Sequence, residues 1–355
     1  MLLAPNKKIR VLIVDDSSFM RMAIRGILSR DPEIEVIASA IDGIEGVEKA
    51  VDLKPDLITM DVEMPRLDGI AATRQIMTKA PTRVLMVSTL TNEGAKATFE
   101  ALDAGAVDYV PKNVTDSADA QKVFREDLLR KVKGAFSSLV PRRIILPPRP
   151  QLRVAGRIAS AAGQKVRYVG IGASTGGPVA IQEVLSRIPV NFPHGILVAI
   201  HMPKAFTGPF AERLNAKCSL QIKEAADGDL VKPGMVLLAP GGRHTSVLRQ
   251  GGGMMVKTVP ATDYPQYIYV PSVDLMLSSM AEACNGAMLG VVLTGMGNDG
   301  CKGMAALKAK GGVTVAQDEA TSTIYGMPRA CIESGVADEV MALGQIGYEI
   351  ARLAG

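Results

Sequence analysis

The sequence predicts an α/β protein built on two doubly wound parallel sheets, and three observations predict it. Short apolar, β-branched runs alternate with amphipathic stretches through both halves of the chain. A Pro- and Arg-rich stretch separates the halves. Polar residues fall directly after several apolar runs, at the carboxyl ends of the predicted strands, where open parallel sheets place their functional groups. At 355 residues the chain is long enough for two cores. With 47% apolar and 21% charged residues, disorder is excluded. A net charge of +4 is too small to suggest a nucleic-acid binder. No apolar run approaches bilayer-spanning length, and MLLAPNKKIR lacks a signal peptide's apolar core, so a cytoplasmic protein without membrane insertion is expected. Cys218, Cys284, Cys301 and Cys331 form no CxxC pair and read as reduced thiols.

In the first half, strands are predicted at Arg10–Val14, Ile34–Ser39, Asp56–Met60, Arg83–Val87 and Val107–Val110, with helices such as Ser18–Ser29 and Glu93–Ala104 between them. A closing helix carries Phe124, Leu128, Val132 and Phe136 every four residues, as one apolar stripe. Residues 137–164 are predicted to be a linker. Pro147, Pro148 and Pro150 break helices there, and no acidic residue balances the five arginines between Pro141 and Gly163. From Lys165 the alternation resumes, with strands predicted at Val166–Ile171, Gly195–Ile200, Met235–Ala239 and Leu289–Leu293 and a helix at Ser272–Cys284. Gly251–Gly253 reads as a short turn.

VLIVDD places Asp15 and Asp16 after the first strand, and LITMDVEMP places Asp61 after the third. VLMVST places Ser88 after the fourth, and YVPK places Lys112 after the fifth. Three crowded carboxylates require a cation, and an all-oxygen site that must also accept a phosphate oxygen suits Mg²⁺. One carboxylate is then able to attack a phosphoryl donor, with Ser88 bonding the phosphoryl oxygen and Lys112 supplying positive charge. Taken singly, an aspartate after a strand is more often a helix cap or a turn residue, and Asp16 or Ser17 would cap the first helix equally well. The set of residues is the stronger signal. Through VLIVDDSSFMR, DLITMDVEMPRLDG and AGAVDYVPK, residues 9–136 resemble a response-regulator receiver domain, a flavodoxin-like fold. The resemblance implies that Asp61 is the phospho-acceptor and that Asp15, Asp16 and the Glu63 carbonyl complete the Mg²⁺ site. It also implies that Ser88 and Tyr109 form the switch pair. Asn113 stands where receivers usually carry proline.

In the second half, YVGIGASTGGP reads as strand, sharp turn and helix, with Gly172-Ala173-Ser174-Thr175-Gly176 matching a G-x-S-x-G nucleophile elbow. A Gly-rich phosphate-binding loop is the alternative reading of that string. A serine nucleophile needs a base, and the chain has three histidines. His201 follows the strand GILVAI, at the same sheet edge as Ser174. His194 precedes that strand, at the wrong end, and His244 is expected in a glycine-rich loop as a contributor to substrate binding. Asp299 in VVLTGMGNDG would orient the imidazole, although an Asn-Asp-Gly turn is individually commoner. The order Ser, His, Asp departs from the lipase-type order, so the chemistry is retained and that fold is not.

Through GASTGGP, HMP, LAPGGRH, PSVDLM, VVLTGMGNDG and TSTIYGMPRA, residues 165–355 resemble the catalytic domain of the chemotaxis protein-glutamate methylesterases, an α/β serine hydrolase domain. The resemblance implies Ser174 as nucleophile, His201 as base and Asp299 as its orienting partner, with Thr175 and the Met296 backbone N–H as helpers at the histidine and the oxyanion. It implies demethylation of glutamate esters on methyl-accepting chemoreceptors, deamidation of receptor glutamines by the same chemistry, and no cofactor for either reaction. It further implies a chemotaxis histidine kinase as phosphodonor. The unphosphorylated receiver is expected to restrain the hydrolase. A non-catalytic adaptor, a DNA-binding response regulator and a general small-ester hydrolase are the alternatives.

Overall fold

The structure is a computed structural model that describes residues 8–112, 117–137 and 166–354. The expected linker lies outside the described residues apart from Ser137, and so does Asn113. The chain divides into two units, 1–148 and 149–355.

In the first unit, β1 (Ile9–Val14), β2 (Ile34–Ala40), β3 (Leu57–Asp61), β4 (Arg83–Thr89) and β5 (Asp108–Lys112) form a parallel sheet in the order β2-β1-β3-β4-β5. The helices between and after them are α1 (Ser18–Leu28), α2 (Gly43–Leu53), α3 (Gly69–Lys79), α4 (Asn92–Asp103) and α5 (Ala118–Ser137). The strands are apolar at consecutive positions because helices cover both faces of such a sheet. On one face, Met20, Ile24 and Leu28 of α1 and Phe124, Leu128 and Val132 of α5 pack with Val11, Ile13, Leu57 and Leu85. Phe136 packs at the margin of that cluster, completing the predicted stripe. Ser17, Asp42, Asp68 and Thr91 start α1 to α4, each accepting the backbone N–H three residues on.

The second unit holds a seven-stranded parallel sheet in the order β14-β13-β12-β6-β7-β9-β8. Its strands are β6 (Tyr168–Ala173), β7 (Gly195–Ile200), β8 (Gln221–Glu224), β9 (Met235–Leu238), β12 (Met288–Val292), β13 (Val313–Gln317) and β14 (Glu339–Met341). β10 (Arg243–Gln250) and β11 (Gly253–Pro260) form a separate antiparallel hairpin, turning at Gly251 with φ +57°. The predicted strand at Gly195–Ile200 coincides with β7, and the other predicted strands shift by one or two residues. β8, β10, β11, β13 and β14 lie outside the predicted set. β8 and β14 are short strands at the sheet edges. In β13, the buried polar residues Thr314 and Gln317 hide the strand from a search for apolar runs. His244 sits at the start of β10, not in a loop.

Both sheets reverse their strand order beside a central strand, at β1/β3 in the first and β6/β12 in the second. Such a reversal opens a crevice at the carboxyl ends of the strands, the usual ligand position in this architecture. Among the described residues, no helix is long and apolar enough to cross a membrane. The four cysteines are unbridged.

Candidate functional site

β6 ends at Ala173, and the chain turns through Ser174-Thr175-Gly176 into the helix Gly177–Leu185, with Pro178 in its first turn. Gly176 has φ +75°, and a Cβ there would meet Thr323 Oγ1 at 2.4 Å, so the elbow requires glycine. Ser174 N donates to Thr294 O at 3.0 Å, and Gly177 N donates to Ser174 O at 2.7 Å. The loop after β12 closes against the serine. A Cβ on Gly295 would lie 2.9 Å from Ser174 Cβ and 2.3 Å from Met327 Sδ. Met296, the expected oxyanion helper, is therefore the next residue along a backbone already in contact with Ser174. Thr294 secures the same loop, accepting from Ile324 N at 2.9 Å and donating to Thr175 O at 3.0 Å. Gln317 Oε1, from β13, accepts from Thr294 N at 2.7 Å.

His201 follows β7 and donates its backbone N–H to Ala173 O at 3.2 Å, which fixes it beside the elbow. Its Nε2 lies 2.8 Å from Asp299 Oδ2, across 98 residues of sequence. Asp299 is held by the start of the helix Val273–Ala283. Its Oδ1 accepts from Ser272 Oγ (3.1 Å) and Asp274 N (2.8 Å), and its Oδ2 accepts from Val273 N (2.8 Å). Burial by itself would raise the Asp299 pKa, but His201 and these backbone donors outweigh it and hold the carboxyl below its ordinary range. An ionised Asp299 only accepts, so Nε2 must carry a proton, and in the neutral imidazole the lone pair is then on Nδ1. Nδ1 is buried without a hydrogen-bond partner, as is Thr175 Oγ1. The Ser174 hydroxyl is thus not bonded to the ring, and catalytic hydrogen bonds often tighten only around a bound substrate. The arrangement places an imidazole anchored on Asp299 at the strand end next to the one that carries a serine at a sharp turn.

The remaining histidines lie elsewhere. His244 is fully buried, its Nδ1 accepts from Ser272 N at 3.3 Å, and burial lowers its pKa. It supports Ser272 from beneath and is not open to a substrate in this form. His194 Nε2 contacts Leu353 O at 3.1 Å, ahead of β7. Ser272, Asp274 and Tyr269 escaped the sequence reading as site residues. Asp274 Oδ1 accepts from Gly300 N (2.8 Å) and Gly303 N (2.9 Å), pinning the loop that carries Asp299. A Ser before an apolar periodic run signals a helix cap, and Ser272 is one. That signal does not reveal that the cap also donates to Asp299.

In the first unit, the carboxylates of Asp15, Asp16 and Asp61 offer oxygens within 4.8 Å of one another. Lys112 Nζ lies 2.6 Å from Asp61 Oδ2 and 3.1 Å from Asp15 Oδ2. The contact to Asp15 lacks hydrogen-bond alignment, so Asp15 Oδ2 is a buried oxygen without a hydrogen bond. Burial pushes the Asp61 carboxyl up to about 6, with Asp15 adding to the rise and Lys112 and Val62 N opposing it. The set fits a hard divalent cation: oxygen donors only, crowded negative charge and one unsatisfied oxygen. An open cleft of about 600 Å³ lies over them, lined by Asp16, Asp61, Glu63, Met64, Thr89 and Lys112. Ser17 is the cap of α1, while Asp15 Oδ1 accepts from Ser17 N at 2.9 Å. Ser88 is buried and donates to Gly94 O at 3.1 Å, so here Thr89 lines the cleft and Ser88 does not. Tyr109 is buried, with Lys131 Nζ 4.8 Å above its ring centre.

Residues 169–350 match the family of CheB methylesterases, and residues 11–123 match the response regulator receiver domain. The protein-glutamate methylesterase/protein-glutamine glutaminase 1 of Geobacter sulfurreducens is 69% identical, with 100% of each chain covered. A relative of the same name, numbered 5, from Geobacter metallireducens is 68% identical over 98% of each chain. The crystal structure of the Thermotoga maritima CheB methylesterase catalytic domain superposes with a TM-score of 0.50 at 39% identity, covering 53% of this chain and 98% of that one.

Proposed function

The chain belongs to the CheB methylesterase family, with a response regulator receiver domain ahead of the catalytic one, and from that premise we infer a phosphorylation-regulated protein-glutamate methylesterase that is also a protein-glutamine glutaminase. Its substrates are glutamate 5-O-methyl esters on chemoreceptors, and it acts within a two-component pathway. The observation that carries the catalytic reading is the His201–Asp299 pair at 2.8 Å, set at the strand ends beside the Ser174 elbow. Ser174 attacks the γ-carbonyl and passes its proton to His201 Nδ1, while Asp299 holds the ring by Nε2. The oxyanion turns toward the Met296 N–H and the start of the helix Gly177–Leu185. His201 returns the proton to the departing methoxide, methanol leaves, and water activated by the same nitrogen releases the glutamate. Ammonia leaves instead when the substrate is glutamine.

In the receiver, Asp61 attacks the phosphoryl donor and becomes an acyl phosphate, Lys112 pairs with the new oxygens, and Ser88 leaves Gly94 O to reach them. Asp15, Asp16 and Asp61 would hold Mg²⁺, which supplies neutralising charge to the phosphoryl group when bound. The phosphodonor is a chemotaxis histidine kinase, and phosphorylation relieves restraint of the hydrolase. The test is methanol release from methylated receptor membranes, with and without a small-molecule phosphodonor and Mg²⁺, for wild type, Ser174→Ala and Asp61→Asn. Release that needs Ser174, and that rises with phosphodonor only when Asp61 is present, supports both assignments. No release from wild type in any condition refutes the esterase.

A further inference from the structure

Tyr269 stands three residues before Ser272, in the segment that leads into the helix Val273–Ala283. Its ring lies flat on the His201 imidazole, with centroids 4.4 Å apart and planes inclined by 7°. Its hydroxyl end rests against the loop after β12, where a Cβ on Gly297 would come within 2.8 Å of Tyr269 Oη. The residue thus spans from the imidazole to the loop that carries Met296 and Asp299.

An imidazole held by one hydrogen bond through Nε2 can still swing about that bond, and once the bond breaks it can turn over about Cβ–Cγ. Turning over exchanges both nitrogens with carbons, so it costs the bond to Asp299 and displaces the base nitrogen. The ring would have to pass through an orientation perpendicular to its present plane, which a flat neighbour at 4.4 Å obstructs. The stack also has an electronic consequence. Proton transfer from Ser174 turns the imidazole into a cation facing a π surface, an attraction that the neutral ground state lacks.

We propose that Tyr269 is a positioning residue for this reaction: its ring face holds the His201 imidazole in the plane that keeps Nε2 on Asp299 and leaves Nδ1 to take the Ser174 proton, and it stabilises the imidazolium as it forms. This rests on the reading of His201 as the base. The test uses the full-length chain, with Tyr269→Phe keeping the aromatic face and Tyr269→Leu removing it at similar bulk. The expected kcat for methanol release is within about twofold of wild type for Phe and about tenfold lower for Leu, with KM changed less than about twofold in both. Nitrogen NMR of the three histidines, with His201 assigned by its loss in His201→Gln, should show one neutral tautomer protonated on Nε2 in wild type and Tyr269→Phe. Tyr269→Leu should show exchange broadening or a second form. A wild-type kcat in the Leu variant overturns the proposal, as does an effect on KM alone. An equal loss in Phe and Leu also overturns it, because the hydroxyl against Gly297 would then be the active part. Undiminished activity in Ser174→Ala would instead defeat the underlying triad, a separate result that the tautomer spectrum does not depend on.

Discussion

Asp61 and Asp299 are both 5% exposed and both sit at the carboxyl edge of a parallel sheet, yet their carboxyls shift in opposite directions. Asp61 is raised to about 6, whereas Asp299 is held below its ordinary range. Burial acts the same way on both. The difference is in what surrounds the charge: Asp299 is wrapped by His201, Ser272 and helix-start N–H groups, while Asp61 shares one lysine with another buried aspartate. The Asp299 carboxylate is satisfied by protein donors on both oxygens. Asp61 and Asp15 share the single Lys112 ammonium, and burial and mutual repulsion leave the Asp61 carboxyl raised. The contrast suits the proposed roles, since a catalytic orienter is best preorganised and a switch has to respond to what binds it.

The largest expected effect lies on the hydrolase side. Ser174→Ala should lower kcat by about 10⁴-fold or more with an unchanged melting temperature, measured by methanol release beside calorimetry. Asp299→Asn should cost about 10³–10⁴-fold, because an amide lets the imidazole settle in the wrong tautomer. It should also destabilise the fold by about 1–3 kcal/mol, since donors that faced a carboxylate would confront an NH₂ group.

The same change at Asp61 should act with the opposite sign. A carboxyl whose folded pKa is raised from 3.8 to about 6 favours folding fully only below the unfolded value, and that contribution is lost as pH rises through 6. Asp61→Asn should therefore stabilise the receiver transition at pH 7.5 without divalent cations by about 2–3 kcal/mol in urea unfolding. The gap should narrow between pH 6 and pH 4. If Asp61→Asn proves less stable than wild type at pH 7.5, the contrast between the two carboxylates is wrong. Millimolar Mg²⁺ should raise the wild-type receiver transition by about 1–2 kcal/mol, and Asp15→Asn should remove most of that gain. The smallest effect belongs to Ser272→Ala, which takes one donor from Asp299 and the cap from its helix: roughly 1 kcal/mol of stability and less than about tenfold in kcat.

Much of this was legible in the residues. The βα alternation marks both sheets, because a strand buried on both faces needs consecutive apolar side chains. The strand-end positions of Asp15, Asp61, Ser174 and His201 follow from the same pattern. The elbow was legible too, since Gly176 at φ +75° and Pro178 at a helix start are local requirements of the chain. β13 was not, because its buried Thr314 and Gln317 satisfy partners far along the chain, Asp338 and the Thr294 backbone.

By itself, then, the sequence determined the fold class, the strand ends and the candidate residues, all consequences of spacing and local backbone preference. Only the tertiary structure decided which imidazole nitrogen meets Asp299, which helix start cradles that carboxylate, and that Tyr269 lies flat on His201. It also decided that Ser88 turns to Gly94 while Thr89 faces the cleft. These outcomes depend on the directions in which side chains approach across as many as 98 residues. Local pattern places a residue at a sheet edge, but packing against distant elements sets its rotamer and the partner of each polar atom.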